Sequence, residues 1–306
     1  MLHLVYRAYG GQNMKNRPSF FSKKLGLQSF LRAAAETRDQ SEIIFVNDGP
    51  MPDDLLELMR PHGRIIQLPG VGMRRSYVFS LQMPQRLNWA DGDVVWYSED
   101  DYLYRPEAFT RLIAAAEAMP EVDYFALYGG YSPEEADPDG PPEPRNWWAP
   151  SPAMVDGQEW RRLLSTASTF GGRAKALRED YRIFRFCMIP HKTMYRDHDT
   201  AVAIQGFEPH HYGPLLRQLA GLEGESAKER VRNASLAPFL LATNLRSHRR
   251  PSRRRLYLAA KPCLAAHMEI GQLSPGADWE QVARDIQNLD AAGQGATHAH
   301  DQSQAI

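Results

Sequence analysis

Val94-Val95-Trp96-Tyr97-Ser98-Glu99-Asp100-Asp101 passes from four apolar residues through a serine into three consecutive acids. A continuous apolar run of this kind is what a strand buried on both faces shows. A helix opens just downstream at Pro106-Glu107, with Phe109, Leu112, Ile113 and Ala116 on one face. The acids therefore stand at the carboxyl end of a strand that leads into a helix, the place where open α/β sheets bind ligands.

Upstream, the same alternation repeats. Leu2, Leu4, Val5 and Tyr6 form a first strand, and after the polar loop GGQNMKNRPS the residues Leu27, Phe30, Leu31 and Ala34 recur at helical spacing. The apolar run Ile43 to Val46 is a second strand that stops at Asn47-Asp48-Gly49-Pro50, and Pro52 followed by Asp53 and Asp54 opens a short helix. Ile65 to Leu68 is a third strand, and the segment Arg75 to Asn88 is a helix that Pro84 kinks or ends. The expectation is an α/β fold with a mostly parallel sheet flanked by helices.

Downstream, Tyr124 to Tyr128 reads as a fifth strand. Ser132 to Pro152, with seven prolines and the pair Trp147-Trp148, reads as a loop or flap. Beyond it a strand is expected around Leu163 to Phe170, with a break at Gly171-Gly172 and less regular segments to about Asn244. No clean linker or internal repeat appears, so one domain is expected over 1–290: a nucleotide-binding half, 1–130, and an elaborated acceptor-binding half, 131–290. The tail 291–306 is small, polar and without apolar periodicity, and is expected to be disordered; its His298 and His300 are incidental.

Composition narrows the function classes. With 36 basic and 37 acidic residues among 306, no global field favours nucleic acid. Two distant cysteines, Cys187 and Cys263, match no metal spacing and no disulfide framework. MLHLVYRAYG enters a strand pattern directly, and no apolar run is long enough to span a bilayer, so a cytoplasmic protein is expected. Neither a P-loop nor a dinucleotide-binding glycine motif is present.

Three adjacent carboxylates repel one another unless a cation or water screens them. A hard divalent ion such as Mn²⁺ or Mg²⁺ resolves this by taking one or two carboxylates and filling its other positions with water and phosphate. The bland alternative is a solvated acidic turn that caps the next helix; the strand-end position favours the metal.

The strand with its polar loop, VNDG at the end of a second strand, and Glu99-Asp100-Asp101 together resemble the GT-A glycosyltransferases, family 2-like members most closely. The resemblance implies a GT-A-like Rossmann-type fold and transfer of a sugar from a nucleotide-diphosphate donor to an acceptor hydroxyl. It implies that Asp48 contacts the base. It also makes the acid triplet the counterpart of a DxD motif, with Asp101 on the metal and Glu99 or Asp100 on ribose or a metal-bound water. His267, in KPCLAAHMEIGQ, is similar to the late histidine that many such enzymes supply to the metal, and Glu269 stands two residues on.

Inverting members need a general base, because a neutral hydroxyl attacks an anomeric carbon poorly; a retaining enzyme would need none. Asp197-His198-Asp199 and Glu179-Asp180 compete for this role. Asp197 and Asp199 are favoured because they precede the apolar segment AVAI. Arg7, just past the first apolar strand, is a candidate for diphosphate or base; Thr169 to Arg173 for close backbone approach to a sugar; Trp147 and Trp148 for sugar stacking. Six arginines between Arg246 and Arg255 suit a donor diphosphate, a lipid-phosphate acceptor or an anionic membrane surface as a peripheral contact. The sugar, the nucleotide and the acceptor are not specified. A nucleotidyltransferase of related fold, which should show a basic Gly-rich N-terminal loop, and a non-catalytic sugar-nucleotide or carbohydrate-binding protein are the alternatives. A metallohydrolase lacks its usual histidine spacings.

Overall fold

The computed structural model describes residues 1–11, 13–129, 144–189, 196–248, 251–271 and 273–289. Part of the expected loop before Pro152, part of the arginine run and the whole of the 291–306 tail lie outside the described residues.

The chain opens with β1 (Leu2–Tyr9), α1 (Lys23–Ala35), β2 (Ser41–Asp48), α2 (Asp53–Met59) and β3 (Arg64–Leu68). Then come α3 (Met73–Leu81), α4 (Met83–Arg86), β4 (Val94–Glu99), β5 (Tyr102–Tyr104), α5 (Ala108–Ala118) and β6 (Tyr124–Ala126). The second half holds β7 (Ala153–Val155), β8 (Gln158–Arg162), β9 (Phe170–Arg173), α6 (Ala174–Cys187), α7 (Asp197–Ile204), α8 (Tyr212–Leu219), α9 (Ala227–Arg246), β10 (Tyr257–Lys261) and β11 (Ala265–His267). A last helical stretch covers 279–289.

Nine strands form one sheet in the order β3-β2-β1-β4-β9-β6-β10-β8-β7. β3, β2, β1 and β4 run parallel, so their carboxyl ends open on the same side. β9 enters antiparallel between β4 and β6, and β10 resumes the parallel direction beside β6. The fold is thus α/β, a mixed but mostly parallel sheet flanked by helices.

Successive residues of a strand face opposite sides, and the core divides accordingly. Leu4, Tyr6, Trp96 and Phe125 pack on one face with Phe30 of α1 and Phe109 of α5. Val5, Val95, Tyr97 and Tyr124 pack on the other with Phe170 and Phe184. Pro84 separates α3 from α4, as its missing N–H and fixed φ dictate.

Two expectations change. Leu163 to Thr169 is not a strand: β8 ends at Arg162 and β9 begins at Phe170, and the stretch between them crosses the carboxyl end of the sheet. Gly171 and Gly172 are not a break but lie inside β9. A Cβ on Gly172 would come within 2.7 Å of the Tyr124 ring, and one on Gly171 within 3.0 Å of Trp96. Glycine is needed there because aromatic rings of both neighbouring strands lie across β9.

The short pair β5 and β11 was not legible from periodicity. It forms a separate two-stranded antiparallel sheet in which His267 stands opposite Tyr102, one residue beyond the acid triplet, and the two rings stack at 5.0 Å.

Candidate functional site

The acids are placed by the fold of their neighbours. Arg7 on β1 is in register with Glu99 on β4, and Tyr9 with Asp48 on β2. α1 begins at the N-cap Ser22 and lies so close to the acid turn that a Cβ on Gly26 would meet the carbonyls of Asp100 and Tyr102 at 3.1 Å. That approach brings Lys23 to the turn.

Each of the three acids has its own cation. Arg7 pairs with Glu99. The Lys23 ammonium donates to Asp100 at 2.7 Å, and the Tyr9 amide donates to the same oxygen at 3.1 Å. The Arg17 guanidinium donates to Asp101 Oδ2 at 2.8 Å, and His267 Nε2 lies 3.0 Å from that oxygen. Arg17 and Lys23 come from the polar loop after β1 and the first turn of α1. Sequence reasoning missed them because nothing in their spacing marks them; only the docking of α1 on the acid turn does.

Burial raises the Glu99 carboxyl against the pull of Arg7, and raises Asp100 against the pull of Lys23. Burial also pushes Asp101 upward, but hydrogen bonds from His267 and Arg17 outweigh it and bring the carboxyl down to about 2. His267 is raised: burial opposes its charge, and the hydrogen bond and charge of Asp101 prevail.

These residues line a cleft of about 530 Å³ at the carboxyl ends of β1, β2 and β4, a size suited to a small-molecule ligand. The cleft brings together Arg7, Asp48, Glu99, Asp100, Asp101, Asp197, His267 and Glu269. The Asp48 carboxylate accepts from the amides of Val71 and Gly72 at 2.6 and 2.7 Å, which ties the loop before α3 to the end of β2.

Asp197 opens α7 and enters the cleft from the second half of the chain. Its carboxyl has no hydrogen-bond partner among the described residues, and burial, reinforced by Glu99, pushes it up to about 8. Asp199 is not in this cleft. It lies in an adjoining cavity of about 620 Å³ that shares Asp197 and His267, where Arg196 donates to it at 3.0 Å and His210 approaches to 3.1 Å. Burial raises Asp199 and these partners lower it, leaving it below the ordinary carboxylate range. In the same wall, both ring nitrogens of His198 are buried without a hydrogen-bond partner.

Several other expectations find different roles. Asp180 is fully buried behind the sheet, where it accepts from Tyr124 at 2.9 Å and Arg255 at 2.9 Å and meets His248 at 2.6 Å. Glu179 pairs with Arg255 at 2.6 Å, so neither acid reaches the cleft. Arg255 thereby leaves the group of arginines open to an outside anion. Thr169 does not face a sugar through its backbone; its hydroxyl accepts from the Glu99 amide at 3.2 Å. Trp147 packs on Phe207 at 4.9 Å and Trp148 beneath Arg162 at 4.4 Å, and neither lines the cleft.

The residues suit a divalent ion in one respect that can be tested on distances. Asp101 Oδ2 and His267 Nε2 meet at 3.0 Å, and Glu269 lies 3.7 Å from the other ring nitrogen, so oxygen and nitrogen donors of the kinds a divalent ion takes converge at one point of the cleft. No cluster of three or more histidines, cysteines or carboxylates forms a complete metal cage among the described residues. A two-ligand set is what an ion shared with substrate phosphates and water uses.

The sequence model of Glycosyl transferase family 2 matches residues 18–180, more than half of the chain. No curated protein matches the sequence. Among solved structures, S. aureus TarS 1–349 is similar at 12% identity over 81% of this chain and 72% of its own, with a TM-score of 0.41. The same S. aureus fragment in complex with UDP-GlcNAc matches at 14% identity over 66% of this chain and 52% of its own, with a TM-score of 0.37. A 4-diphosphocytidyl-2C-methyl-D-erythritol synthase matches at 14% identity over 60% of this chain and 79% of its own, also with a TM-score of 0.37. The family match spans α1, β2, β4 and the acid triplet, and the chain belongs to glycosyl transferase family 2 as a glycosyltransferase.

Proposed function

We propose that the chain moves a sugar from a nucleoside-diphosphate donor to an acceptor hydroxyl, with a divalent ion held by Asp101 and His267 and with Asp197 as the general base. The carrying observation is the Asp197 carboxyl: unpartnered, raised to about 8, and in one cleft with the acid triplet although its element comes from the other half of the chain. A base poised near neutrality is matched to taking a proton from an alcohol in the transition state.

The charge inventory supports the metal. Arg7, Lys23 and Arg17 are each engaged by an acid of the triplet, so the described residues lining the cleft offer no surplus cation to meet a diphosphate. Held by Asp101 and His267, Mn²⁺ or Mg²⁺ would supply that charge to the leaving diphosphate. Asp48 stands at the base end of the cleft, and Glu99 and Asp100 line the ribose and diphosphate region. The acceptor hydroxyl enters from the cavity shared with Asp199 and His198. As its oxygen bonds to the anomeric carbon, its proton passes to Asp197 and the bond to the diphosphate breaks. Asp199, held low by Arg196 and His210, keeps the wall of that cavity in place.

The donor half is then 1–130 and the acceptor half 131–290. No helix among the described residues is long and apolar enough to cross a membrane; a cytoplasmic setting suits the two cysteines, both free and buried.

A thermal-shift screen against UDP, GDP, CDP, TDP and ADP, each with and without Mn²⁺, tests the reading, because a ligand that binds only the native state raises its melting temperature. A metal-dependent shift for one nucleotide is expected. No shift with any of them would overturn it.

A further inference from the structure

α8 and α9 pack side by side as a helical hairpin beyond the acceptor cavity. Helices of a folded domain turn their apolar stripe inward, but this hairpin also turns one outward. On α9, whose 20 residues make a rod of about 30 Å, the buried positions are Ala237, Thr243 and Asn244. Its outward face carries Val231, Phe239 and Leu245, and α8 and the turn after it add Leu216, Leu219 and Leu222. Four of these six, Leu216, Leu222, Val231 and Leu245, are 63–72% exposed. Leu216 and Leu219 stand three apart on α8, and Val231 and Leu245 stand fourteen apart on α9, close to four turns, so each pair lies along one side of its helix.

Charge is arranged around this surface rather than within it. From Asn233 to Leu245 there is no charged residue, and exposed cations stand at both ends: Lys228, Arg230 and Arg232 before it, and Arg246 after it. None of these four is paired with a carboxylate among the described residues. Of the three acids of the hairpin, Glu223 pairs with Arg217 at 2.8 Å and Glu229 closes the N-terminal cap of α9 through Ser226. Glu225 alone is left opposite these four cations, of which Arg246 stacks on the Phe186 ring at 4.0 Å. An apolar surface flanked by exposed cations that no described carboxylate neutralises complements the negative charge of an anionic bilayer surface.

The position relative to the cleft points the same way. Leu240, on the inner side of α9, lines the cavity that contains Asp197, and His210, just before α8, lines the same cavity. A bilayer under the hairpin would therefore lie at the mouth of the acceptor side.

We propose that the α8–α9 hairpin is a peripheral docking surface for an anionic lipid bilayer, inserting Leu216, Leu219, Phe239 and Leu245 between headgroups and using Lys228, Arg230, Arg232 and Arg246 on the lipid charge. Docking goes beyond the transfer reading; that the acceptor is carried in the bilayer rests on that reading.

The test is co-sedimentation of the full chain with phosphatidylcholine vesicles and with vesicles containing phosphatidylglycerol, at low and high salt and without nucleotide. The expected result is binding to the anionic vesicles alone, weakened by salt. It should fall about fivefold for each cation removed in Arg230→Gln and Arg232→Gln, and be lost in the Leu216→Ser/Phe239→Ser double variant with an unchanged melting temperature. Equal binding to neutral vesicles, or no binding to either, overturns the proposal. So does a concentration-dependent dimer that the double variant breaks, which would make a second copy the occupant. Nucleotide binding measured in the same variants without lipid stays separate: its loss would count against the transfer reading and not against docking.

Discussion

Asp101 Oδ2 and His267 Nε2 stand 3.0 Å apart across 166 residues of chain. The antiparallel pairing of β5 with β11 makes this contact, and it closes the acid turn against the C-terminal part of the protein. Under the proposed reading the same pair would hold the divalent ion, which gives the first prediction.

Replacing His267 by Ala should abolish the Mn²⁺-dependent part of nucleotide binding and leave the metal-independent part in place. Isothermal titration of the nucleotide with and without Mn²⁺ separates the two. If the variant bound nucleotide with unchanged metal dependence, His267 would be a structural partner of Asp101 only.

Asp197→Asn should lower kcat by about 10²–10⁴-fold, the usual worth of a positioned base, with nucleotide affinity unchanged. Loss of nucleotide affinity alongside kcat would assign Asp197 to donor binding instead.

The same residue sets a pH dependence. With its carboxyl pushed up to about 8, the charged, proton-accepting form grows as pH rises through that value, so kcat should rise from pH 6 to 9. Stability runs the other way. Between the ordinary carboxylate range and about 8 the native state binds more protons than the unfolded chain, so this group's contribution is full at low pH and is lost as pH rises toward 8. Asp197→Asn should therefore raise the melting temperature relative to the wild type at pH 8.5 and change it little at pH 4.5. A lower melting temperature at pH 8.5 would show that the carboxylate is stabilised by a partner.

Asp180→Ala should destabilise the fold by roughly 3–5 kcal/mol, because it leaves Arg255 buried without its main partner and removes the acceptor for Tyr124. Urea unfolding measures it. A loss below about 1 kcal/mol would mean that Glu179 and Asp123, the other acids on Arg255, suffice.

Gly172→Ala should cost roughly 1–3 kcal/mol through overpacking, since the added methyl meets the Tyr124 ring at 2.7 Å. Chemical denaturation of the variant checks this, and a neutral result would show that the ring can move aside.

The parts of this protein that were legible in sequence are those governed by near neighbours in the chain. Val94 to Asp101 announced a buried strand with acids at its carboxyl end, and Asp48 announced a second; β4 and β2 end in this way. The helix after Pro106 and the interruption at Pro84 were legible for the same reason, because periodicity and missing N–H groups act locally. Gly171-Gly172 misled because a local rule reads glycine as a break. What required it was the rings of Trp96 and Tyr124 on strands far away in sequence.

For the choice between Asp197 and Asp180 the local signal was slight, the apolar segment AVAI that follows Asp197. Both precede or lie in helical segments, and only the sheet decides that one faces the cleft while the other is enclosed by Tyr124, His248 and Arg255. Sequence by itself therefore determined the α/β alternation and the clustering of acids at a strand end. The tertiary structure alone decided which cation each acid meets, that His267 reaches Asp101, and that the hairpin keeps an apolar face outside. Strand pairing and helix docking join residues whose separation along the chain carries no periodic trace.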